Sequence, residues 1–494
     1  MINFKNRINK MISRMRGSKI KTKNKENLNN YIIKQKKNIN NKNNKNNSFI
    51  NENLKTPIKY NCDVLVVGGG PSGLSAAIGS SRAGANTMLV ERYGCFGGVI
   101  TTVGMETIGW YRYEGTVDSE GIGIEMEKMA QKMGASRKWA YNDSNCLDAE
   151  NFKVIADDLV ESNKIKPLLH TIVVDAIVED NIIKGVIIEN KDGRSAILAK
   201  RVIDCSGDAD VAYNAGAEYT VLTKDKKMSV TQVFNTSGVD KNKFLEYVKN
   251  NEKTYSDWGS AWNQKTTEKE KNLPSPYLQE EFDKEKNLAT HDNVSFAGSW
   301  SSLTEQGEAT NLNLVSVKGI DALNVDDLTK AEIISRKNVM KAIQAMNKNL
   351  PGFEKAKLRN FGMTLGIRDT RKIVGKYNLT EKDVTSQARF NDSIGIFPEF
   401  IDGYSTLILP TSGRYYQIPY GCLVSTVNNL LVGGRCVAGD MVAHASTRNM
   451  MWCTVTGQGA GVAAAISLKY EKNTHDVDIS EIQKELLKQN VRIK

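Results

Sequence analysis

The chain has 494 residues, 40% of them hydrophobic and 25% charged, enough for two or three domains with a sizeable core. That composition excludes a disulfide-stapled miniprotein, a collagen-like chain and a wholly disordered one. The net charge of +11 is concentrated at one end: residues 1–57 hold 15 Lys+Arg against Glu26 and Glu52, so the remainder carries −2 and gives no electrostatic argument for nucleic-acid binding by the folded body.

Residues 1–57 also contain 16 Asn, and such a segment is expected to be disordered. Within it Phe4, Ile8, Met11, Ile12 and Met15 fall at helical spacing among Lys and Arg. That pattern suits an organellar transit or membrane-surface helix, and a solvated Lys/Asn tail suits the same residues. Cytoplasm and mitochondrion therefore both stay open as compartments. No apolar run reaches the roughly 18 residues of a membrane span. The seven cysteines are odd in number and none is spaced C-x-x-C, which argues against a disulfide framework or a zinc ribbon.

The folded body is expected to begin near Tyr60. Val64–Val67 reads as a buried strand, residues 72–83 as a helix ended by Gly84, and Thr87–Val90 as a second buried strand, a β-α-β unit. Residues 150–165 read as a helix. TIVVDAIVED, IIKGVIIEN and SAILAKRVIDCSG, separated by the turn signals Asp180-Asn181 and Asp192-Gly193, read as a three-stranded meander. Residues 240–300 are polar and weakly periodic; 326–350 return to helical spacing before Pro351-Gly352. Asn429–Val432 is a further buried strand, and a small-residue helix is expected over about 454–468. The predicted fold is α/β: a Rossmann-like domain with an inserted β-meander, a second α+β substrate domain and a disordered basic tail. The expected division is 1–57 tail, 58–215 first part of the nucleotide domain, 216–420 substrate or cap domain, and 421–494 its C-terminal part.

After the first strand comes Gly68-Gly69-Gly70-Pro71-Ser72-Gly73, which fits G-x-G-x-x-G. Gly68 allows the tight turn, Gly70 lets the backbone approach a pyrophosphate, and Gly73 lets the helix pack on the strand. The helix start supplies free N–H groups, and Glu91, 18 residues past Gly73, is placed for adenosine ribose hydroxyls. Arg92 and, in the meander, Val174 join the candidate contacts. Gly97-Gly98, Gly207-Asp208 and Gly433-Gly434 are later returns of the chain to the nucleotide, which an NAD domain does not need and FAD does. Gly457, Gly459, Ala460 and Gly461 suit either the approach of a helix start to the flavin or close helix packing.

DVLVVGGGPSGLSAAI, LVERYGCFGG, RVIDCSGDADVA, LGIRDTRKIVGKYNLTEKDV, IPYGCLV and NLLVGGRCVAGDMVAHASTRNM together resemble the FAD-dependent oxidoreductase family, within the fumarate-reductase and glutathione-reductase-like flavoprotein fold, over about residues 60–470. The resemblance implies the fold and FAD as cofactor; it names no substrate.

A second constellation is cationic. Arg368 and Arg371 lie three apart, so on a helix they share a face, and Arg448 stands near His444. These four are the candidate catalytic residues: the arginines to clamp a carboxylate, His444 or Arg448 to move a proton. Ion pairs of Arg368 and Arg371 with Asp369 or Asp383 are the alternative. Tyr420 faces either the isoalloxazine or the core. No second G-x-G-x-x-G unit provides an NAD(P)H domain, so electrons come from the substrate, a freely bound nicotinamide, a partner protein or a quinone. The expected function is hydride exchange between flavin and a small, anionic organic substrate, with no metal; homo-oligomerisation stays open. Two competing readings are a flavoprotein that binds RNA through its basic arm and a redox-idle protein with structural FAD.

Overall fold

The computed structural model describes residues 50, 52, 54–139, 143–257, 263–264 and 277–494. The expected disorder of residues 1–57, the amphipathic pattern between Phe4 and Met15 and the RNA-binding arm lie almost entirely outside them.

The apolar run of β1 (Ile58–Val67) is buried because strands flank it on both sides. β2 (Thr87–Val90) pairs with it in parallel, Val64 opposite Thr87, and β6 (Gly193–Asp204) pairs in parallel on the other side, Val64 opposite Arg201. Between β1 and β2 runs α1 (Pro71–Arg82). Pro71 begins it without cost, since its missing N–H would have had no intrahelical partner, and Gly84 (φ 94°) follows its end. Next, α2 (Ala149–Ser162) is capped by Asp148, which accepts from the Glu150 and Asn151 amides, and leads to the outer strand β3 (Lys166–Leu168), parallel to β2. The meander consists of β4 (Ile172–Glu179), β5 (Ile182–Asn190) and β6. Asp180 and Asn181, both at positive φ, make the two-residue hairpin turn. The long β6 serves two neighbours on one side: its first half pairs with β5 and its second half with the late strand β13 (Leu430–Val432), Leu430 opposite Val202.

A second sheet has the order β8 (Val294–Ser299), β9 (Glu308–Val317), β7 (Val230–Ser237), β10 (Lys357–Phe361), all antiparallel. The helix α3 (Val325–Asn349), capped by Asn324, packs its Ala331, Val339, Ala342, Ile343 and Met346 side into a second core with Phe234, Leu312 and Val315. That core draws on residues 230–365. Phe244, Phe282 and Phe296, from the stretch whose sequence shows little periodicity, are inside it. The expected second unit ran to residue 420, but side chains from Ile373 to Ile418 pack into the first core, where the fully buried β11 (Ser393–Pro398) pairs with β12 (Tyr415–Pro419).

A buried polar seam joins the two cores. The Glu106 carboxylate accepts from the Thr310 hydroxyl (2.6 Å), Thr107 meets Ser301 (2.6 Å), and the Trp139 indole donates to the Trp300 carbonyl (3.1 Å). Burial pushes the Glu106 carboxyl up to about 7. Among the described residues no helix is long and apolar enough to cross a membrane.

The last long helix differs from expectation. After α4 (Met441–Thr447), α5 runs from Met450 to Lys469, so its start lies well before the glycines expected there. Gly457 and Gly461 sit mid-helix against α1. A Cβ on either would lie 2.0 Å from the carbonyl oxygen of Ser72 or Ala76. The small residues therefore serve close packing of two helices.

Candidate functional site

The glycine turns gather at the C-terminal ends of the parallel strands β1, β2, β6 and β13, where such sheets bind ligands. Gly68 (φ 98°) turns against Cys205, and a Cβ on Gly73 would sit 1.6 Å from the Gly68 carbonyl oxygen, so the loop closes only with glycine there. Gly98 (φ 50°) faces Gly70: its Cβ would come 2.6 Å from the Gly70 Cα, and Gly97 donates its N–H to the Gly69 carbonyl. The start of α1 has no side-chain cap, which leaves the turn Gly70-Pro71-Ser72-Gly73 as an open positive end. Glu91, buried at the end of β2, accepts from the Gly69 (2.6 Å) and Tyr93 (2.9 Å) amides. It therefore holds the loop, and each oxygen retains a lone pair for another donor. Arg92 is exposed, within electrostatic reach of Glu91, Asp208 and Asp210.

The later returns arrive as expected. Gly207 (φ 79°) and the buried Asp208 follow β6, and Gly434 (φ 85°) follows β13 and donates its N–H to Thr456 (3.1 Å). Val174 lies at an irregularity of β4, its carbonyl accepting from Asn214 (3.4 Å). Gly459 and Ala460 are not part of this gathering: they are buried mid-helix in α5, and a Cβ on Gly459 would meet Ile394 at 2.5 Å. A groove walled by facing glycines that any Cβ would fill, an uncapped helix start and a carboxylate at the end of β2 fit the pyrophosphate and adenosine ribose of FAD.

Sequence reasoning passed over Arg435. Its guanidinium bonds Asp208 (2.6 Å) and the Ile367 carbonyl (2.9 Å), tying the Gly207 turn to the segment that carries Arg368. Thr370 bonds the same Asp208 oxygen (2.8 Å). The available signal was an arginine directly after Gly433-Gly434.

Residues 365–371 form no helix, so Arg368 and Arg371 do not share a face. Gly366 makes one backbone bridge to Thr231, and side chains of Arg435 and His444 satisfy the Ile367 and Arg368 carbonyls. Arg371 turns to Asp210 (2.9 Å) and the Asp208 carbonyl (3.1 Å) and lies over the Tyr213 ring (4.2 Å). It is thereby committed within the protein. Asp369 pairs with Lys372 (2.7 Å) and Tyr404 (2.7 Å), and Asp383 caps a short helix with Thr380; neither meets an arginine. Burial alone would raise the Asp369 carboxyl, but Lys372, His444 and Tyr404 together outweigh it and bring the group to about 2.

Arg368 is different. Its guanidinium donates to the Ser229 carbonyl (2.8 Å), the Thr231 hydroxyl and Asn313 (3.3 Å), all neutral and all on or beside the second sheet. Among the described residues no carboxylate bonds it. Burial, then the charge of Arg448, pushes it down to about 10. It keeps part of its surface. Arg448 pairs with the Asp402 carboxylate (2.7 Å) and also donates to the Asp402 carbonyl. His444 is 1% exposed, its Nε2 is 2.8 Å from the Arg368 carbonyl oxygen, and its Nδ1 is buried without a partner. Burial, then Lys372, pushes it down to about 3. A neutral imidazole whose single N–H is already donated has no proton to give and keeps only the Nδ1 lone pair to accept one. Tyr420 is a core residue whose hydroxyl donates to the Thr474 carbonyl (2.8 Å). The seven thiols are free, six of them buried.

The sequence matches the family described as FAD dependent oxidoreductase over residues 63–486. The chain belongs to the FAD-dependent oxidoreductase family. A curated relative of this FAD-dependent oxidoreductase, thioredoxin reductase from Bacillus subtilis (strain 168), is 32% identical over 94 residues, 19% of this chain and 28% of that enzyme, so the chain spans little more than a quarter of its length. Similar solved structures include a geranylgeranyl bacteriochlorophyll reductase-like protein from Thermoplasma acidophilum, with 14% identity and a TM-score of 0.45 over 88% of this chain and 84% of that one. Another is L-proline dehydrogenase from P. horikoshii, with 12% identity and a TM-score of 0.40 over 88% and 100%.

Proposed function

We propose that this FAD-dependent oxidoreductase exchanges a hydride with a small organic anion held by Arg368 at the boundary between the two cores. The observation that carries the reading is the Arg368 guanidinium: half-buried among neutral acceptors, with no carboxylate of its own among the described residues. Taking such a charge out of water without a counter-charge is costly, and a bound anion supplies the missing partner.

FAD supplies the redox chemistry when bound. Gly68, Gly70, Ser72, Gly73, Glu91, Arg92, Gly97, Gly98, Gly207, Asp208 and Gly434 would hold it. The chain itself binds the substrate anion through Arg368, while Arg448 near it is paired with Asp402. Arg435 and His444 fix the main chain on either side of Arg368 by bonding the Ile367 and Arg368 carbonyls. Thr231 and Asn313 of the second sheet brace the guanidinium and exclude water from that side. In this reading the residues that pack into the first core, Ile373 to Ile418 among them, form the cofactor part and residues 230–365 the substrate part.

The test is anaerobic mixing of the flavin-loaded protein with a panel of carboxylate donors and their uncharged amides, following loss of the flavin's visible absorption. Bleaching by a carboxylate and not by its amide, abolished in Arg368→Met at unchanged flavin content, is the expected result. Equal bleaching by the amides, or an unaffected variant, overturns the reading.

A further inference from the structure

The charges around Arg368 can be balanced one against another. Arg448 is neutralised by Asp402 at 2.7 Å and Lys372 by Asp369 at 2.7 Å. Arg371 is paired with Asp210 at 2.9 Å and Arg435 with Asp208 at 2.6 Å. His444 is neutral, with its N–H given to a carbonyl. The groups that act electrostatically on Arg368 are Arg448, Asp402 and Tyr277: one positive, one negative and one uncharged. Among the described residues, the surroundings of Arg368 therefore carry a single unbalanced positive charge.

From this balance we infer that the site takes a monoanion, a substrate with one carboxylate and an otherwise uncharged body, and refuses dicarboxylates. The inference rests on the proposed anion-binding role of Arg368 and adds the charge of the substrate to it. One carboxylate satisfies Arg368 and brings these surroundings to neutrality. A second carboxylate enclosed beside it finds, among the described residues, no cation without a carboxylate of its own, because the charge of Arg448 is already paired, and it feels the Asp402 carboxylate instead. Its desolvation is then uncompensated. The specificity-determining residue is thus Asp402, which withholds Arg448 from the substrate.

The test uses four-carbon ligands on the flavin-loaded full chain, with affinities read by titration calorimetry and by perturbation of the flavin absorption band. Butyrate carries one carboxylate, succinate two, and butyramide none. Wild-type protein is expected to bind butyrate about tenfold or more tighter than succinate, and also tighter than butyramide. Asp402→Asn, which keeps the shape and removes the charge, is expected to raise succinate affinity relative to butyrate several-fold. Succinate binding as tightly as butyrate in the wild type overturns the monoanion inference and leaves the anion reading standing. Butyramide matching butyrate, or no ligand binding at millimolar concentration, overturns both. An Asp402→Asn protein that keeps its flavin and shows no change in the ratio also overturns the inference. If that variant does not fold, the wild-type comparison decides alone.

Discussion

The Nε2 of His444 stands 2.8 Å from the backbone carbonyl oxygen of Arg368. A carbonyl only accepts, so this nitrogen carries the hydrogen and the tautomer is set. The imidazole acts on Arg368 through the main chain and not on a substrate. His444→Ala should weaken butyrate binding about tenfold at unchanged flavin content, the size of one lost hydrogen bond to a buried group. His444→Gln, whose amide can replace the donor, should restore most of it. A merely structural loss would lower flavin content and butyrate affinity together.

The same imidazole makes a pH prediction. Its pKa is depressed to about 3 in the folded protein, against an ordinary value near 6.5. Between these values the unfolded chain binds a proton that the native one does not, so stability falls as pH drops from about 6.5 to 3. Denaturant titrations across that range should show a shallower fall for His444→Gln than for the wild type. An equal slope in both would show that the imidazole is not held neutral.

Glu106 has the opposite sign. Its folded pKa is raised to about 7, so the native state holds a proton that the unfolded state has lost between about pH 4.5 and 7, and stability falls as pH rises through that interval. Glu106→Gln keeps the bond from Thr310 and removes the titration. It should be more stable than wild type by roughly 1–3 kcal/mol at pH 8, with little difference at pH 4.5. Paired urea titrations at the two pH values measure this.

Arg368→Met removes a half-buried charge that the protein does not pair. Its melting temperature should equal or exceed that of the wild type while butyrate binding is lost, a separation of stability from function measured by thermal melts and calorimetry.

Gly457→Ala should be costly out of proportion to one methyl group. The new Cβ would lie 2.0 Å from the Ser72 carbonyl oxygen, so α5 must move off α1 and disturb the turn at Gly70–Gly73. Loss of flavin from the purified variant, read as the ratio of visible to ultraviolet absorbance, is the expected outcome. Gly84→Ala, where nothing lies within 4 Å but φ is 94°, should cost stability by strain alone and keep the flavin.

The cofactor part was legible because its signals are local. Gly68, Gly73 and Glu91 lie within one β-α-β unit, and Asp180-Asn181 is a turn by its own chemistry. The second part was not. Arg368 and Arg371 have helical spacing, yet Asp208, Asp210, Ser229 and Asn313, all distant in sequence, decide where the two side chains go. Ile394 is apolar in a way that fits either core, and only packing against α5 assigns it to the first. Gly457 and Gly461 suit a phosphate or a neighbouring helix equally well from sequence. The backbone of α1, which Ser72 and Ala76 present, settles the matter.

The division of β6 between β5 and β13 has a consequence for biosynthesis. The Val202–Asp204 edge is emitted by the ribosome long before Leu430–Val432, its partner, so it waits unpaired while the whole second sheet is made. Gly434 cannot reach Ser72 until that strand docks, so this side of the glycine-walled groove is completed late. Nascent chains halted ahead of Leu430 present an open, apolar sheet border to chaperones and to one another.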